Sequence, residues 1–412
     1  MNDATSTLHV LSLNAGSSSI KCTLYAVDES PSAVLSATID RIGTGQARLL
    51  WRDATGNREE LPPLGELDHR AAGTFLLDWL ERRVGPRSVA AIGHRIVTGG
   101  ARYRTAQRVT PELIDELRRI SVYAPEHLPP EIDLIELFAR RAPDAAQIAC
   151  FDTAFHRDMP RVAQLFALPR RLREKGVERY GFHGLSYAYL MEELARVAGA
   201  DAARGRVVLA HLGNGASLAA VHAGKCIDTS MGFTPAAGIP MSTRSGDLDP
   251  GLVRYLAHTE RMTAERFDAM VNRESGLLGV SETSGDVRDL LACEAHDPRA
   301  AEALALFCYR AKKCVGAYAA ALGGLDTLVF AGGIGEHAAK IRGRICDGLQ
   351  FLGLELDAER NAADEPLISA ASSRVAVRVI RTDEEIMIAK AVLEVLAAAH
   401  TKHATNAIED PR

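Results

Sequence analysis

Two stretches of this chain share one design, and that design limits the folds open to it. Residues 8–27, LHVLSLNAGSSSIKCTLYAV, read as strand, polar turn, strand: Leu, Val and Ile flank a run from Asn14 to Ser19 that has no place inside a core strand. Residues 206–230, RVVLAHLGNGASLAAVHAGKCIDTS, repeat the pattern around Gly213-Asn214-Gly215. These hairpins are the nearest thing to an internal repeat, and each leads one half of the chain. At roughly 100–200 residues per domain, 412 residues suit two domains. The first is placed at 1–150 and the second at 151–383.

Strand and helix signals alternate between and after the hairpins. Residues 33–61 stay strand-like, broken by Gly43, Gly45 and Gly56. Thr110-Pro111-Glu112 supplies an N-cap, a proline at the first helical position and an acid in the first turn; Leu113, Leu117 and Ile120 then share one face. A second helix is expected after Pro129-Pro130, to about Arg141, then a short buried strand, AQIACFD (146–152). Later come a long helix near 298–322, a buried strand LDTLVFAG (325–332), and the turn Gly332-Gly333-Ile334-Gly335 opening another helix. Thr382-Asp383-Glu384-Glu385 has capping-box spacing before a final helix, IMIAKAVLEVLAAA. From His400 the tail is polar and is expected to fray. The alternation predicts an α/β protein.

Composition excludes several functions. No apolar run approaches the roughly 18–20 residues that span a bilayer, and the start, MNDATST, is polar where a secretory signal would be basic and then apolar. A net charge of -5 without a long basic block gives nucleic acid little to bind. Seven scattered cysteines with no C-x-x-C argue against a disulfide framework and a zinc knuckle, and a cytoplasmic location is expected. Lys21 is the only lysine in the first 174 residues.

The chain lacks G-x-x-x-x-G-K-[ST], so no P-loop is present. It has instead three Gly/Ser/Asn turns at strand ends, whose N–H groups and hydroxyls suit phosphate oxygens as well as they suit plain hairpins. Gly333-Ile-Gly335-Glu-His-Ala338 also fits a dinucleotide fingerprint, with Glu355 as the acid some 20 residues on, but leaves little chain for that fold. Arg95 closes an apolar run before Gly99-Gly100, where a guanidinium suits an anion clamp. Asp152 and His156 close the strand in CFDTAFH, His183 sits in RYGFHG, and Arg244 lies in the polar loop MSTRSGD. Each taken singly has a structural alternative: a satisfied histidine, a solvated arginine, a capping acid. Glu384 equally suits a helix first turn through the macrodipole.

Together these blocks are recognisable. LNAGSSSIK (13–21), GHRIVTGG (93–100), FDTAFH (151–156), RYGFHG (179–184), HLGNG (211–215), DTSMGFTP (228–235), TRSGDLDPG (243–251), SGLLGVS (275–281), GGIGEH (332–337) and TDEE (382–385) resemble, in order, the acetate kinase family. The resemblance implies two duplicated actin-like (ribonuclease H-like) domains with an active-site cleft between them, the final helix (about 384–400) rejoining the first domain. It implies reversible transfer of the ATP γ-phosphoryl group to a short-chain carboxylate, giving an acyl phosphate and ADP. Arg95, Arg244, His183 and Asp152 would be catalytic, with Val97, Phe182 and Pro235 around the acyl chain. Lys21, Ser17, Ser19, His211, Leu212, Gly213, Asn214 and Gly215 would meet phosphates. Asp286, Val287, Arg288 and Gly333, Ile334, Gly335, Glu336 and His337 would hold the nucleoside. Asn14 and Glu384 would serve Mg²⁺ (or Mn²⁺). A homodimer is implied.

Four positions depart from the family pattern: Thr98 for a His, Glu126 for an apolar residue, Leu128 for an Asn, Gly285 for a Ser. Three of them cluster toward the acyl side and bear on carboxylate specificity. An unpaired buried acid there is costly, so Glu126 is expected to turn outward or pair with an arginine, leaving Leu128 or backbone as wall. An ATPase that uses the same fold as a conformational switch is the alternative from a different class, but it has no need of two arginines and a histidine on the acceptor side.

Overall fold

The computed structural model describes residues 8–16, 18–28, 30–84 and 89–406. The leading hairpin is β1 (Leu8–Ala15) and β2 (Ile20–Val27), antiparallel, with Asn14 opposite Lys21. β3 (Pro31–Asp40), β4 (Arg48–Asp53) and β5 (Arg58–Glu60) extend the meander. Helix α1 (His69–Val84), which Asp68 caps by accepting from the Ala71 N–H at 2.7 Å, leads to β6 (Ala91–Ile96), which runs parallel to β1. β7 (Gln107–Arg108), α2 (Pro111–Arg119) and α3 (Leu128–Arg141) precede β8 (Ala146–Phe151), parallel to β6. The Thr110 hydroxyl caps α2 by accepting from the Leu113 N–H, worth about 1 kcal/mol.

In the second half β9 (Arg206–Leu212) and β10 (Ala216–His222) form the expected hairpin. A further turn that the sequence reading ran through, at Ala223 and Gly224 (both at positive φ), adds β11 (Lys225–Thr229). β12 (Thr327–Ala331) and β13 (Ala376–Val379) then run parallel beside β9.

Among the described residues the sheet orders are β5-β4-β3-β2-β1-β6-β8-β7 and β11-β10-β9-β12-β13. In each, an antiparallel meander, of five strands in the first sheet and three in the second, continues through its first strand into two parallel strands. The duplication that the hairpins hinted at is therefore topological. The chain divides into two compact units: one runs to Ala154 and resumes at Asp383, the other is Phe155–Thr382.

The first unit packs Leu11, Leu13 and Leu24 of its sheet against Leu76 and Leu80 of α1 and Leu134 and Phe138 of α3. On β6, Gly93 makes room for the C-terminal helix Glu384–Asn406, because a Cβ there would lie 2.4 Å from Ile388 and 2.6 Å from Val392. The cap of that helix is not the expected Thr382. Asp383 accepts from the Ile386 N–H at 3.1 Å, while the Thr382 hydroxyl turns to Ser186 at 2.9 Å. The backbone stays helical through the expected frayed tail to Asn406.

The second unit buries Tyr187, Leu190 and Leu194 of the helix Gly184–Ala198 against Val207, Leu209, Ala219, Val221 and Val329. The long helix Pro298–Leu322 starts as expected, capped by Asp297, and buries Ala303, Phe307, Ala311, Val315 and Ala319 on one face. All seven cysteines are free thiols. Among the described residues no helix is long and apolar enough to cross a membrane.

Candidate active site

In both units the candidate residues gather where parallel strands end, which is where open α/β sheets bind ligands. In the first unit, Asn14 ends β1, buried, and its amide nitrogen donates to Glu384 Oε2 at 2.8 Å and Glu385 Oε1 at 3.3 Å. Burial and then the neighbouring Glu384 and Asp383 push the Glu385 carboxyl up, against the pull of Lys21. The turn between β1 and β2 is closed by the Gly16 N–H donating to Ser19 O at 2.8 Å; Ser17 lies outside the described residues.

Arg95 closes β6 with a side chain only 13% exposed. Its Nη2 donates to Asp152 Oδ2 at 2.9 Å and its Nη1 to Ala15 O at 3.4 Å. Burial opposes its charge, but Asp152, Glu131 and Glu384 outweigh that and fix it as a cation. Val97, fully buried, follows at the strand end, and its N–H donates to Glu131 Oε2 at 3.0 Å. Asn14, Arg95, Val97 and Asp152 thus lie at the carboxyl ends of neighbouring strands, with Glu384 beside them.

Glu131 escaped the sequence reading. It is 2% exposed, and its Oε1 lies 3.5 Å from Arg95 Nη1. A signal was available: Leu128, Glu131, Ile132, Ile135 and Phe138 share the buried face of α3, so an acid interrupts an apolar stripe. The buried carboxyl of this region is Glu131, not Glu126. Glu126 is half-buried in the turn before α3, and Leu128 is fully buried. Thr98 serves its own turn, its hydroxyl accepting from the Gly100 N–H at 3.1 Å.

In the second unit the RYGFHG turn is held under strain. A Cβ on Gly181 (φ +75°) would stand 2.7 Å from the His156 ring, and His183 itself sits at φ 58°, costly for a non-glycine residue. His156 Nε2 binds Phe182 O at 2.9 Å and fixes that strand of backbone. The His183 ring is set by Ser217 Oγ at 2.8 Å on Nδ1 and stacks on His211, ring centres 4.3 Å apart. A Cβ on Gly215 would stand 3.1 Å from His183 Nε2 and 3.5 Å from Arg244 Nη1, so the glycine leaves that imidazole and guanidinium facing one spot. Arg244 Nη1 also donates to Pro235 O at 3.3 Å. Thr382 donates to Ser186 Oγ at 2.9 Å, and that oxygen also lies within hydrogen-bond distance of His211 Nδ1, at 2.8 Å.

The glycine-rich segments meet around β9. GGIGEH, expected as a turn opening a helix, is itself a short helix, Gly332–His337; a Cβ on Gly332 (φ +75°) would lie 2.6 Å from Leu212 O, so its first turn rests on the end of the HLGNG strand. Glu336 closes that turn, its Oε1 accepting from the Gly332 N–H at 3.0 Å. Asn214 O accepts from the Ser242 N–H at 3.2 Å, and a Cβ on Gly285 would lie 2.9 Å from Ser242 O. Asp286, next along, caps the helix Val287–Cys293 by accepting from the Arg288 N–H at 2.8 Å; the Arg288 guanidinium beside it holds its carboxyl below the usual range. Arg288 and His337 extend into solvent, and Gly333 faces open space.

A second missed residue supports this floor. Arg342 is completely buried, its Nη1 donating to Gly335 O and Glu336 O at 2.9 Å each. Its other nitrogens reach Asn361 Oδ1 at 2.8 Å, Asn361 O at 2.7 Å and the Asp364 carboxylate.

A model of the acetokinase family matches residues 9–390. The chain is similar to an acetate kinase of Rhodopseudomonas palustris strain TIE-1, 47% identical over 389 residues, covering 93% of this chain and 97% of that one. It is 42% identical over 403 residues to a propionate kinase of Citrobacter rodentium, covering 97% and 99%. Among solved structures it is similar to a propionate kinase from Francisella tularensis, with a TM-score of 0.87 at 33% identity, covering 94% of this chain and all of that one.

Proposed function

The chain belongs to the acetokinase family, and from that premise we propose the acceptor acid and the part each residue plays. As a member it is a kinase that transfers a phosphoryl group to a carboxylate, built of two actin-like domains. The acceptor is acetate or propionate, the acids named for its relatives, and the donor is ATP.

A short carboxylic acid has a pKa near 4 and is ionised at neutral pH, so its oxygen attacks the γ-phosphorus without a general base. The new O–P bond forms as the bond to the β,γ-bridging oxygen breaks and ADP leaves. The barrier lies in bringing anions together, and fixed cationic and neutral donors lower it. Arg95 holds the acceptor carboxylate and Arg244 the moving phosphoryl group, each as a planar fork. His183 Nε2 donates to an equatorial oxygen. Asp152 orients Arg95. Val97, Phe182 and Pro235 bound the acyl chain. The observation that carries this reading is the buried, charge-fixed Arg95 on Asp152 beside the apolar Val97.

Lys21, Ser17, Ser19, His211 and the Leu212–Gly215 turn take the phosphates. Asp286, Val287, Arg288 and the Gly333–His337 segment take the nucleoside. Asn14 and Glu384, with Glu385 at hand, supply hard oxygen donors of the kind Mg²⁺ prefers. Among the described residues no group of three or more His, Cys, Asp or Glu makes a self-sufficient cage, which suits an ion completed by water and nucleotide oxygens. Bound there, Mg²⁺ would neutralise phosphate charge. A homodimer in the cytoplasm completes the reading.

The test is ADP release with acids of one to four carbons, the acyl phosphate trapped as hydroxamate. We expect two- or three-carbon acids to be preferred, each surplus methylene costing roughly 10–200-fold in kcat/KM. ADP release independent of any carboxylate would favour the ATPase switch instead.

A further inference from the structure

We propose that Glu131 is a positioning residue that competes with the substrate carboxylate for Arg95, so that its ionisation sets how tightly the acid binds. The inference rests on Arg95 being the group that holds the acid. Glu131 stands in the first turn of α3 with both oxygens buried. Oε2 accepts from the Val97 N–H, so the side chain also sets the apolar wall beside the acid. Oε1 accepts no hydrogen bond, although it lies 3.5 Å from Arg95 Nη1. Arg95 already has a full ionic partner in Asp152 at 2.9 Å.

The charge balance follows from these contacts. With Glu131 neutral, Arg95 and Asp152 cancel, and an incoming carboxylate meets a guanidinium with one competitor. With Glu131 ionised, the trio is net negative in a site shielded from water, and the substrate adds a further anion at close range. Burial pushes the Glu131 carboxyl up to about 8, against the opposing pulls of Arg95 and the Val97 N–H, so the change falls within the working pH range. The charged groups acting on Glu131 are Arg95 and Asp152, with Glu384 acting on Arg95 in turn. His94 of β6 binds Gln147 instead. On α3 the other charged contacts lie farther along: Glu136 with Arg118 of α2, and Arg141 with Asp78 and Glu81 of α1.

The experiment is KM for acetate from pH 6 to 9 at saturating Mg-ATP, with KM for ATP measured in parallel. In the unaltered protein, acetate KM should rise about tenfold between pH 7 and 9 without a matching rise for ATP, since acetate stays ionised throughout. Glu131→Gln keeps an acceptor for the Val97 N–H and should flatten the acetate profile; Glu131→Asp keeps the charge and should retain the slope. A flat profile in the unaltered protein, or an unchanged slope in Glu131→Gln, overturns the role of Glu131. If Arg95→Ala leaves acetate kcat/KM intact, the assignment of Arg95 itself fails, a result separable from the other two.

Discussion

Arg342 offers the sharpest test of how the proposed nucleotide floor is held. Arg342→Met keeps the length and apolar bulk of the side chain but removes every donor. The carbonyls of Gly335, Glu336 and Asn361 and the Asp364 carboxylate are then left without their partner. Removing one member of a buried ion pair typically costs about 3–5 kcal/mol. Asp364 is 37% exposed and water can take up part of its charge, so the lower end, about 3 kcal/mol, applies here. Because the Gly335 and Glu336 carbonyls lie in the turn that Glu336 closes onto Gly332, the looser turn should also raise KM for ATP about fivefold or more, with KM for the acid unchanged. Urea unfolding without nucleotide reads the first effect, and initial rates read the second. Arg342→Lys, with three donors for five, should recover only part of both. A methionine variant within about 1 kcal/mol of the parent and with normal ATP KM would refute the argument.

Arg95→Ala and Arg244→Ala should each lower kcat by on the order of 10²-fold with folding intact by circular dichroism, and lysine should restore little. Glu384→Ala should raise the Mg²⁺ needed for half-maximal rate while unfolding stability moves by less than about 1 kcal/mol; a stability loss alone would return Glu384 to a helix-dipole role. His94, buried against Gln147, has its pKa pushed down to about 4 by burial, so the unfolded chain takes up a proton at 6.5 that the folded chain refuses. Stability should therefore fall as pH drops from about 6.5 to 4, and His94→Gln should flatten that limb in urea midpoints.

The parts of the fold that the sequence disclosed are those written locally. Thr110-Pro111-Glu112 is a start signal that needs no tertiary partner, and α2 begins there. Asp297 before Pro298 is another. The two hairpins were readable because polar turns interrupt apolar runs. The second-unit meander was under-read, because Ala223-Gly224 is so short that β10 and β11 look like one strand. Thr382 was misread for a different reason. Its capping-box spacing is intact, but its hydroxyl has a better use on Ser186, and Asp383 takes the cap.

The site divides along the same line. Arg95, Asp152, His183 and Arg244 stand beside glycine or at the end of an apolar run, so chain-local pattern exposes them. Glu131 and Arg342 lie inside helices, where a charged residue ordinarily belongs to the solvated face. For Glu131 the stripe of Leu128, Ile132, Ile135 and Phe138 marks the exception, since helical spacing alone puts the acid among them. Arg342 has no such mark. It shares a stripe with Cys346, but Ile341 and Ile345 make an equally good apolar stripe one residue away. Arg344, two positions on, pairs with Glu294 at the half-exposed surface. What separates the two arginines is the partner across the fold: three backbone carbonyls, an amide oxygen and an acid for one, a single glutamate for the other. A fully buried guanidinium is tolerable only where such a set of acceptors converges, and that convergence is a property of the folded unit.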